Sequence, residues 1–462
     1  MSSPLAPDTP VEQAPQSGKE QRRLRRRVMD LAGPVIGENL LQTLLGITDS
    51  ILVAGLGVVA LGGVGAALQV IFVLTAALSG LSVGASVLVS QAFGAGKLAD
   101  AGSRARQALI WSVVISLPLG LIGIPLSPAI ISLFGLPPAT DIIASEYLTI
   151  TIGGSSALTI MLLAGGVLRG ANDSRTPMVV TLWSNVLNVG LSYVLIYGVF
   201  GFPALGAAGS AWGTVIARVL GAAALIWVLV RGRNGVRVSG AGGMAGWRPY
   251  LPDLRSILRI GMPAALEEVL VITAFAFLTP LVATLGTIPL AAHRVALNVL
   301  SLAFLPGIGL GLAATALVGQ AVGAQRPDEA RAVTAIALRW GLIWLGGLMV
   351  IFIVSAPWLA RIFGDDPELV AVSAATIQVI ALAQPFWAIT FVYGGALRGT
   401  GDTRTPLVIT GTINWMAVGV AFLLVPFWPS LPVIWSAFLI SGPIEAYLFY
   451  RAWRNVQWRK PA

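Results

Sequence analysis

The chain has 462 residues, 56% of them hydrophobic and only 11% charged, with a formal net charge of +9. A soluble globular protein carries roughly 25% charged residues, so this chain lacks the polar groups to coat itself and lipid must cover much of its surface. With no cysteine and one histidine, His293, it can form no disulfide, thiolate nucleophile or histidine metal cluster.

In chain order, residues 1–28 read as a disordered polar tail that becomes strongly basic at Arg22, Arg23, Arg25, Arg26 and Arg27. No secretory signal is visible before the first long apolar run. A bilayer core of roughly 30 Å needs about 20 apolar residues in a helix. Six such runs, near 29–55, 63–91, 107–134, 144–168, 177–200 and 207–230, form an N-terminal lobe over 29–231. A glycine-rich linker, 232–255, follows. Six more runs, near 256–284, 290–320, 334–362, 369–397, 406–427 and 433–452, form a C-terminal lobe over 256–453, and 454–462 is a basic tail. The expected fold is all-α and integral to the membrane, with twelve spans around a central cavity.

Of the 29 basic residues, 26 fall in the termini or in loops on one side; Arg218, Arg294 and Arg361 are the exceptions. Basic loops mark the cytoplasmic side, so both termini are expected there, in a plasma-membrane protein. Because the basic residues sit between apolar runs and form no single basic face, no nucleic-acid partner is expected.

The two lobes repeat at a constant offset of 229 residues. Leu168–Pro177 recurs as Leu397–Pro406, with seven of ten positions identical. Gln91–Ala95 recurs as Gln320–Ala324, Pro34 as Pro263, Leu56–Gly57 as Leu285–Gly286, and Asn185 as Asn414. Six spans per lobe is an even number, so the repeats insert the same way up, related by an axis along the membrane normal. Two such bundles facing each other can rock and open a central cavity to alternate sides, which favours a transporter.

With these motifs the chain resembles the multidrug and toxic compound extrusion (MATE) family over about 30–450. The carriers are Pro34, Thr48-Asp49-Ser50 and Leu56-Gly57; Ser90 through Ala95; Leu168-Arg169-Gly170; Ala291-Ala292-His293 through Asn298; Gly319-Gln320; and Leu397-Arg398-Gly399. The resemblance implies export of small organic cations, often aromatic, driven by inward H⁺ or Na⁺, with no other cofactor. The major facilitator class shares the layout, but its loop pattern after span 2 fails at Asp100–Ser103.

Charges deep in a membrane are costly and mark function by default. Asp49 lies 15 residues beyond Pro34, about 22 Å along a helix. It matches the family's span-1 carboxylate that binds the coupling cation. Asn188 and Thr214 match positions that complete that site, and Asn185 lies one turn before Asn188. Ser192 departs from the usual Asn or Asp, which favours H⁺ over Na⁺. The competing reading makes Asp49 a structural partner of Arg218. Pro34 is the expected hinge of span 1. Glu38 and Glu267 occupy equivalent positions, with Glu268 adjacent; they are expected to face the cavity and attract cations, or else to form a gate or salt bridge. Trp387 stands where part of the family has a second-lobe Asp, so a second cation site there is incomplete; with Phe386 and Tyr393 it is a plausible aromatic wall. His293 and Arg294 are expected at the outer interface, and Glu445 beside Arg451. The alternative function is flipping of a lipid-linked or amphiphilic substrate. An enzyme is not expected, since no nucleophile–base pair or metal set is present, and the chain is expected to be a monomer.

Overall fold

A computed structural model describes residues 18–238 and 246–458, and among these the regular structure is helical. The N-terminal lobe contains α1 (Gly18–Ala54), α2 (Val58–Gly94), α3 (Leu98–Ser132), α4 (Pro138–Gly153), α5 (Ser155–Gly170), α6 (Arg175–Tyr197) and α7 (Ala207–Arg231). The C-terminal lobe contains α8 (Leu251–Ala283), α9 (Thr287–Gly323), α10 (Pro327–Arg361), α11 (Pro367–Thr400), α12 (Arg404–Leu424) and α13 (Leu431–Arg454). A helix satisfies its backbone hydrogen bonds internally, which a lipid environment demands. Ten of these helices are long and apolar enough to cross a membrane, and the α4–α5 pair makes an eleventh span, bent by 51°. Helix α1 is the repeat equivalent of α8; Glu38, Asn39, Gln42 and Asp49 make it more polar.

Three expected boundaries shift. The helix begins at Gly18, so the basic cluster forms the first turns of α1 and does not belong to a tail; residues 1–17 and 459–462, and 239–245 of the linker, lie outside the described residues. The span expected as one helix over 144–168 breaks at Gly154. There a Cβ would fall 2.6 Å from Val215 of α7, so only glycine lets that helix approach. The linker, expected to run to 255, ends where α8 starts at Leu251.

Most basic residues gather at one end of the bundle, termed the basic end. Here α2 and α9 cross so closely that a Cβ on Gly94 would strike the backbone of Gln320, and one on Gly323 the backbone of Gln91. The two contacts are related by the 229-residue offset. The same relation links Gly80 against Ala265 and Gly309 against Ile36.

The linker is strapped to the N-terminal lobe. Its Arg233 meets Asp173 at 2.7 Å, and Asn234 Nδ2 donates to the Ala171 carbonyl at 2.9 Å. Val236 and Val238 are fully buried. Beyond the undescribed stretch, Gln107 of α3 binds the Arg248 carbonyl and the Tyr250 amide at 2.9 and 3.0 Å. The linker therefore joins α8 only after it has been fixed to α3.

Candidate functional site

The repeated Leu168–Pro177 and Leu397–Pro406 segments explain themselves in atoms. Arg169 pairs with Glu38 at 3.1 Å, and Arg398 pairs with Glu267 at 2.6 Å. Each pair ties the first helix of a lobe to the end of its fourth span. Gly170 and Gly399 sit tightly against the backbones of Ser86 and Thr315. Their carbonyls accept hydrogen bonds from the opposite lobe: Gln320 Nε2 donates to Gly170 at 3.0 Å, and Gln91 Nε2 to Gly399 at 3.2 Å. Asp173 accepts from the Thr176 amide and hydroxyl at 3.1 and 2.6 Å, and Asp402 from those of Thr405 at 3.0 and 2.6 Å. One motif thus braces its own lobe, receives the other lobe and starts the next helix. Arg27 adds a hydrogen bond to Gln320 Oε1 at 3.0 Å and an ion pair with Glu329. The basic end is sealed by these bonds.

The seal places the acidic residues. Glu38 and Glu267 are held in intra-lobe ion pairs, so of the alternatives weighed from sequence the salt bridge is the geometry observed. Glu268 is exposed. It follows Ala265 by three positions, close to one turn, and so faces the inter-lobe contact just beyond Gly80. Its repeat equivalent is Asn39, whose Nδ2 is buried without a hydrogen-bond partner. Pro34 lies inside an uninterrupted α1.

Towards the opposite end, α1 carries Asp49, which is 8% exposed. Its Oδ1 is buried with no hydrogen-bond partner. Around it stand Tyr147 of α4 and Arg218 of α7, both near enough to act on its charge. No ion pair closes between Asp49 and Arg218 among the described residues. The Tyr147 hydroxyl faces Ser210 and Thr214. Asn188 Nδ2 donates to Thr214 Oγ1 at 2.9 Å, and Ser192 Oγ donates to Asn188 Oδ1 at 3.2 Å. Gly213 lets α6 and α7 close on this chain, since a Cβ there would meet Ser192. Asn185 instead donates to the Leu41 carbonyl at 2.7 Å and joins α6 to α1.

The C-terminal lobe has no counterpart to this group. The equivalents of Asp49, Asn188 and Ser192 are Leu278, Ala417 and Ala421, all buried in one apolar cluster with Trp435 and Phe438. Trp387 packs edge-on against Phe304 in the same region, with centroids 4.9 Å apart. His293 was expected at the interface; it is 1% exposed, because its Nδ1 accepts from Trp435 Nε1 at 3.3 Å within the aromatic core. Arg294 is exposed. Glu445 does not sit beside Arg451; it is 4% exposed and faces Thr410 and Glu267. Tyr393 belongs to a groove on α10, α11 and α13. Of these residues, Tyr147 has no place in the sequence-based expectations, and Glu445 has a different one. Comparison across the offset carries a signal for both: the counterpart of Glu445 is Ile216, a change of polarity, and that of Tyr147 is Thr376, a change of size that keeps the hydroxyl.

Among the described residues no group of three or more His, Asp or Glu side chains is placed to hold a metal ion.

The MatE family pattern matches the chain twice, over 34–194 and 263–423, two blocks offset by the same 229 residues. A probable multidrug resistance protein NorM of Thermotoga maritima is 35% identical over 422 residues, covering 88% of this chain and 87% of that protein. The multidrug resistance protein NorM of Burkholderia vietnamiensis is 32% identical over 409 residues, covering 86% of each. Among solved structures, the outward-facing conformation of a multidrug resistance MATE family transporter of the MOP superfamily superposes with a TM-score of 0.86 at 22% identity, covering 96% of this chain and 98% of that one. A MATE in complex with MaL6 gives a TM-score of 0.86 at 22% identity, over 95% and 98% of the two chains. With both lobes matched and these relatives near full length, the chain belongs to the MATE family, and it is a multi-pass membrane transporter, not an enzyme.

Proposed function

We propose that this protein exports small organic cations across the plasma membrane in exchange for inward-moving protons, by alternating access between its two lobes. The observation that carries the reading is Asp49: a carboxylate buried in one lobe, with an unpartnered oxygen, beside a hydrogen-bonded chain that the other lobe lacks. Buried polar atoms are nearly always satisfied, so an orphan invites an ion or a proton. A proton suits the site better than Na⁺. The only carboxylate in the group is Asp49, Arg218 stands near it, and Ser192 spends its hydroxyl on Asn188. Hard cations prefer several free oxygens.

With both termini cytoplasmic, the sealed basic end is the inner gate and this conformation opens outward. Asp49, Asn188, Thr214 and Ser192 bind the coupling proton, and Tyr147 and Arg218 set its electrostatic surroundings. Asn185 and Pro34 link that event to the course of α1. Glu268, at the floor of the inter-lobe cleft, draws the cationic substrate. The NorM relatives, named for multidrug resistance, support that substrate class. The protein works as a monomer in lipid.

The test is efflux of ethidium from proteoliposomes under an imposed pH or Na⁺ gradient. Export under the pH gradient alone, abolished in Asp49→Asn, is the expected result. Equal activity in Asp49→Asn removes Asp49 from coupling. Absence of export under either gradient removes the cation-exporter reading and favours transport of an amphiphilic lipid.

A further inference from the structure

A groove of about 550 Å³ runs over α11 between α10 and α13 at the basic end of the C-terminal lobe. Arg331 and Arg339 of α10 line it with Tyr393 of α11 and Trp453 of α13, and Leu342 and Ile343 extend it towards the membrane centre. Every lining residue belongs to this one lobe, so the groove is separate from the inter-lobe cleft and from Asp49.

Arg339 is the anomalous residue. It follows the start of α10, Pro327, by twelve positions, about 18 Å along the helix. The helix has 35 residues, about 52 Å in length against a hydrocarbon core of roughly 30 Å. A centred helix therefore puts the Arg339 backbone about 7 Å inside the hydrocarbon boundary. Its side chain is exposed and has no acidic partner among the described residues. Arginines at such depths pair with something or reach for the interface. Arg331 lies two turns nearer the basic end on the same face. It is weakly engaged, 3.5 Å from the exposed Asp328 and with its guanidinium 5.5 Å from the Trp458 ring centroid. Trp453 stacks with Tyr393 at 6.3 Å and meets Trp458 edge-on at 5.6 Å, which builds a rigid amphipathic wall at the level of lipid headgroups.

We infer that this groove holds one anionic phospholipid of the leaflet at the basic end. Its phosphodiester lies between Arg331 and Arg339, and an acyl chain follows Leu342 and Ile343. Guanidinium groups match phosphate oxygens in geometry and charge. Basic pockets between transmembrane helices on this side of a membrane are suited to such headgroups. A cationic export substrate is excluded by the same two charges.

The test uses the full chain purified in detergent and titrated with phosphatidylglycerol, phosphatidylcholine or inorganic phosphate, read by native mass spectrometry and by thermal unfolding. One phosphatidylglycerol should bind in preference to phosphatidylcholine and raise the unfolding temperature. Arg331→Gln with Arg339→Gln should weaken that binding at least about tenfold, the equivalent of losing one charge-assisted hydrogen bond. Lysine at both positions, which keeps the charge but loses the bidentate fork, should retain part of it and bind more tightly than the glutamine variant. Should the double variant fail to purify, Arg339→Gln alone, on an exposed face, carries the same test. Equal binding of the two lipids, or undiminished phosphatidylglycerol binding in the glutamine variants, overturns the inference. So does equal stabilisation by inorganic phosphate, since the site would then recognise the anion without the lipid.

Discussion

Replacing Gln320 by alanine should loosen the basic end and leave the rest of the molecule folded. Gln320 Nε2 donates to the Gly170 carbonyl at 3.0 Å, and its Oε1 accepts from Arg27 at 3.0 Å. Both bonds cross between lobes, so they exist only while this end is closed. Gly170 is buried, and leaving such a buried acceptor unpaired costs about 1–3 kcal/mol. The closed conformation should lose that much relative to the open one, a factor of about 5 to 150 in the ratio of the two. Gln91→Ala removes the equivalent bond to Gly399, at 3.2 Å. Both glutamines sit at the same α2–α9 crossing, so the two changes act on one contact and the double variant should open further than either single one. Because the chain has no cysteine, spin labels can be placed without background. Lys97→Cys and Asp328→Cys, both exposed at this end, give one label per lobe. Electron–electron double resonance on the labelled protein in lipid should show a new longer distance in Gln320→Ala and more of it in the double variant. An unchanged distance distribution in both would refute the idea that these bonds hold the gate shut.

Three further outcomes follow from the same geometry. Gly94→Val should disrupt the closed end more strongly than Gln320→Ala, since its side chain has nowhere to go but into the Gln320 backbone; solvent accessibility of a cysteine at Lys97 would report it. Arg398→Gln leaves Glu267, with a side chain 5% exposed, unpaired in the lobe interior, and should cost about 3–5 kcal/mol in thermal unfolding. Adding Glu267→Gln should recover much of that loss. At Asp173, burial raises the carboxyl pKa, but the Thr176 hydroxyl and amide and the Arg233 guanidinium outweigh it and hold the group below the ordinary carboxylate range. A lowered folded-state pKa means the stabilisation is present above the ordinary carboxylate pKa, about 3.9, and is lost as pH falls through the folded-state value. Asp173→Asn should therefore lower the unfolding temperature at neutral pH and narrow its gap from wild type in strong acid.

Much of this was legible because the chain writes its plan twice. Apolar runs longer than any soluble helix needs, and a constant offset, give the two lobes; they do not say which contacts lie between lobes. Glu38 and Glu267 show the limit. Their matched positions mark them as important, and Arg169 and Arg398 lie at the same offset, yet the pairing crosses 131 residues in each lobe. No local period encodes that. The bend at Gly154 is not legible in sequence, because a glycine inside an apolar run is ordinary and its role appears only with Val215 against it. His293 departs from its expected place for a similar reason. Hydropathy locates it near a helix end, but its burial depends on Trp435, far away in sequence.

The two copies also show which parts of the plan could diverge. A gate between similar lobes needs matched halves, because each glutamine from one lobe must find a carbonyl in the other and each small residue must face a backbone. That requirement keeps Gln91 with Gln320, Gly94 with Gly323, and Arg169 with Arg398. The Asp49 group has no such constraint, since its hydrogen bonds run within one lobe. Asp49, Asn188 and Ser192 therefore have apolar counterparts in Leu278, Ala417 and Ala421 without harm to the closed end. A buried carboxylate at position 278 would add a desolvation cost of several kcal/mol at a place where no polar chain meets it. The aromatic core of Trp435, Phe438 and Phe275 instead makes that lobe a stiff partner. On the proposed function, binding at one site is then expressed as motion between two bodies, as alternating access requires.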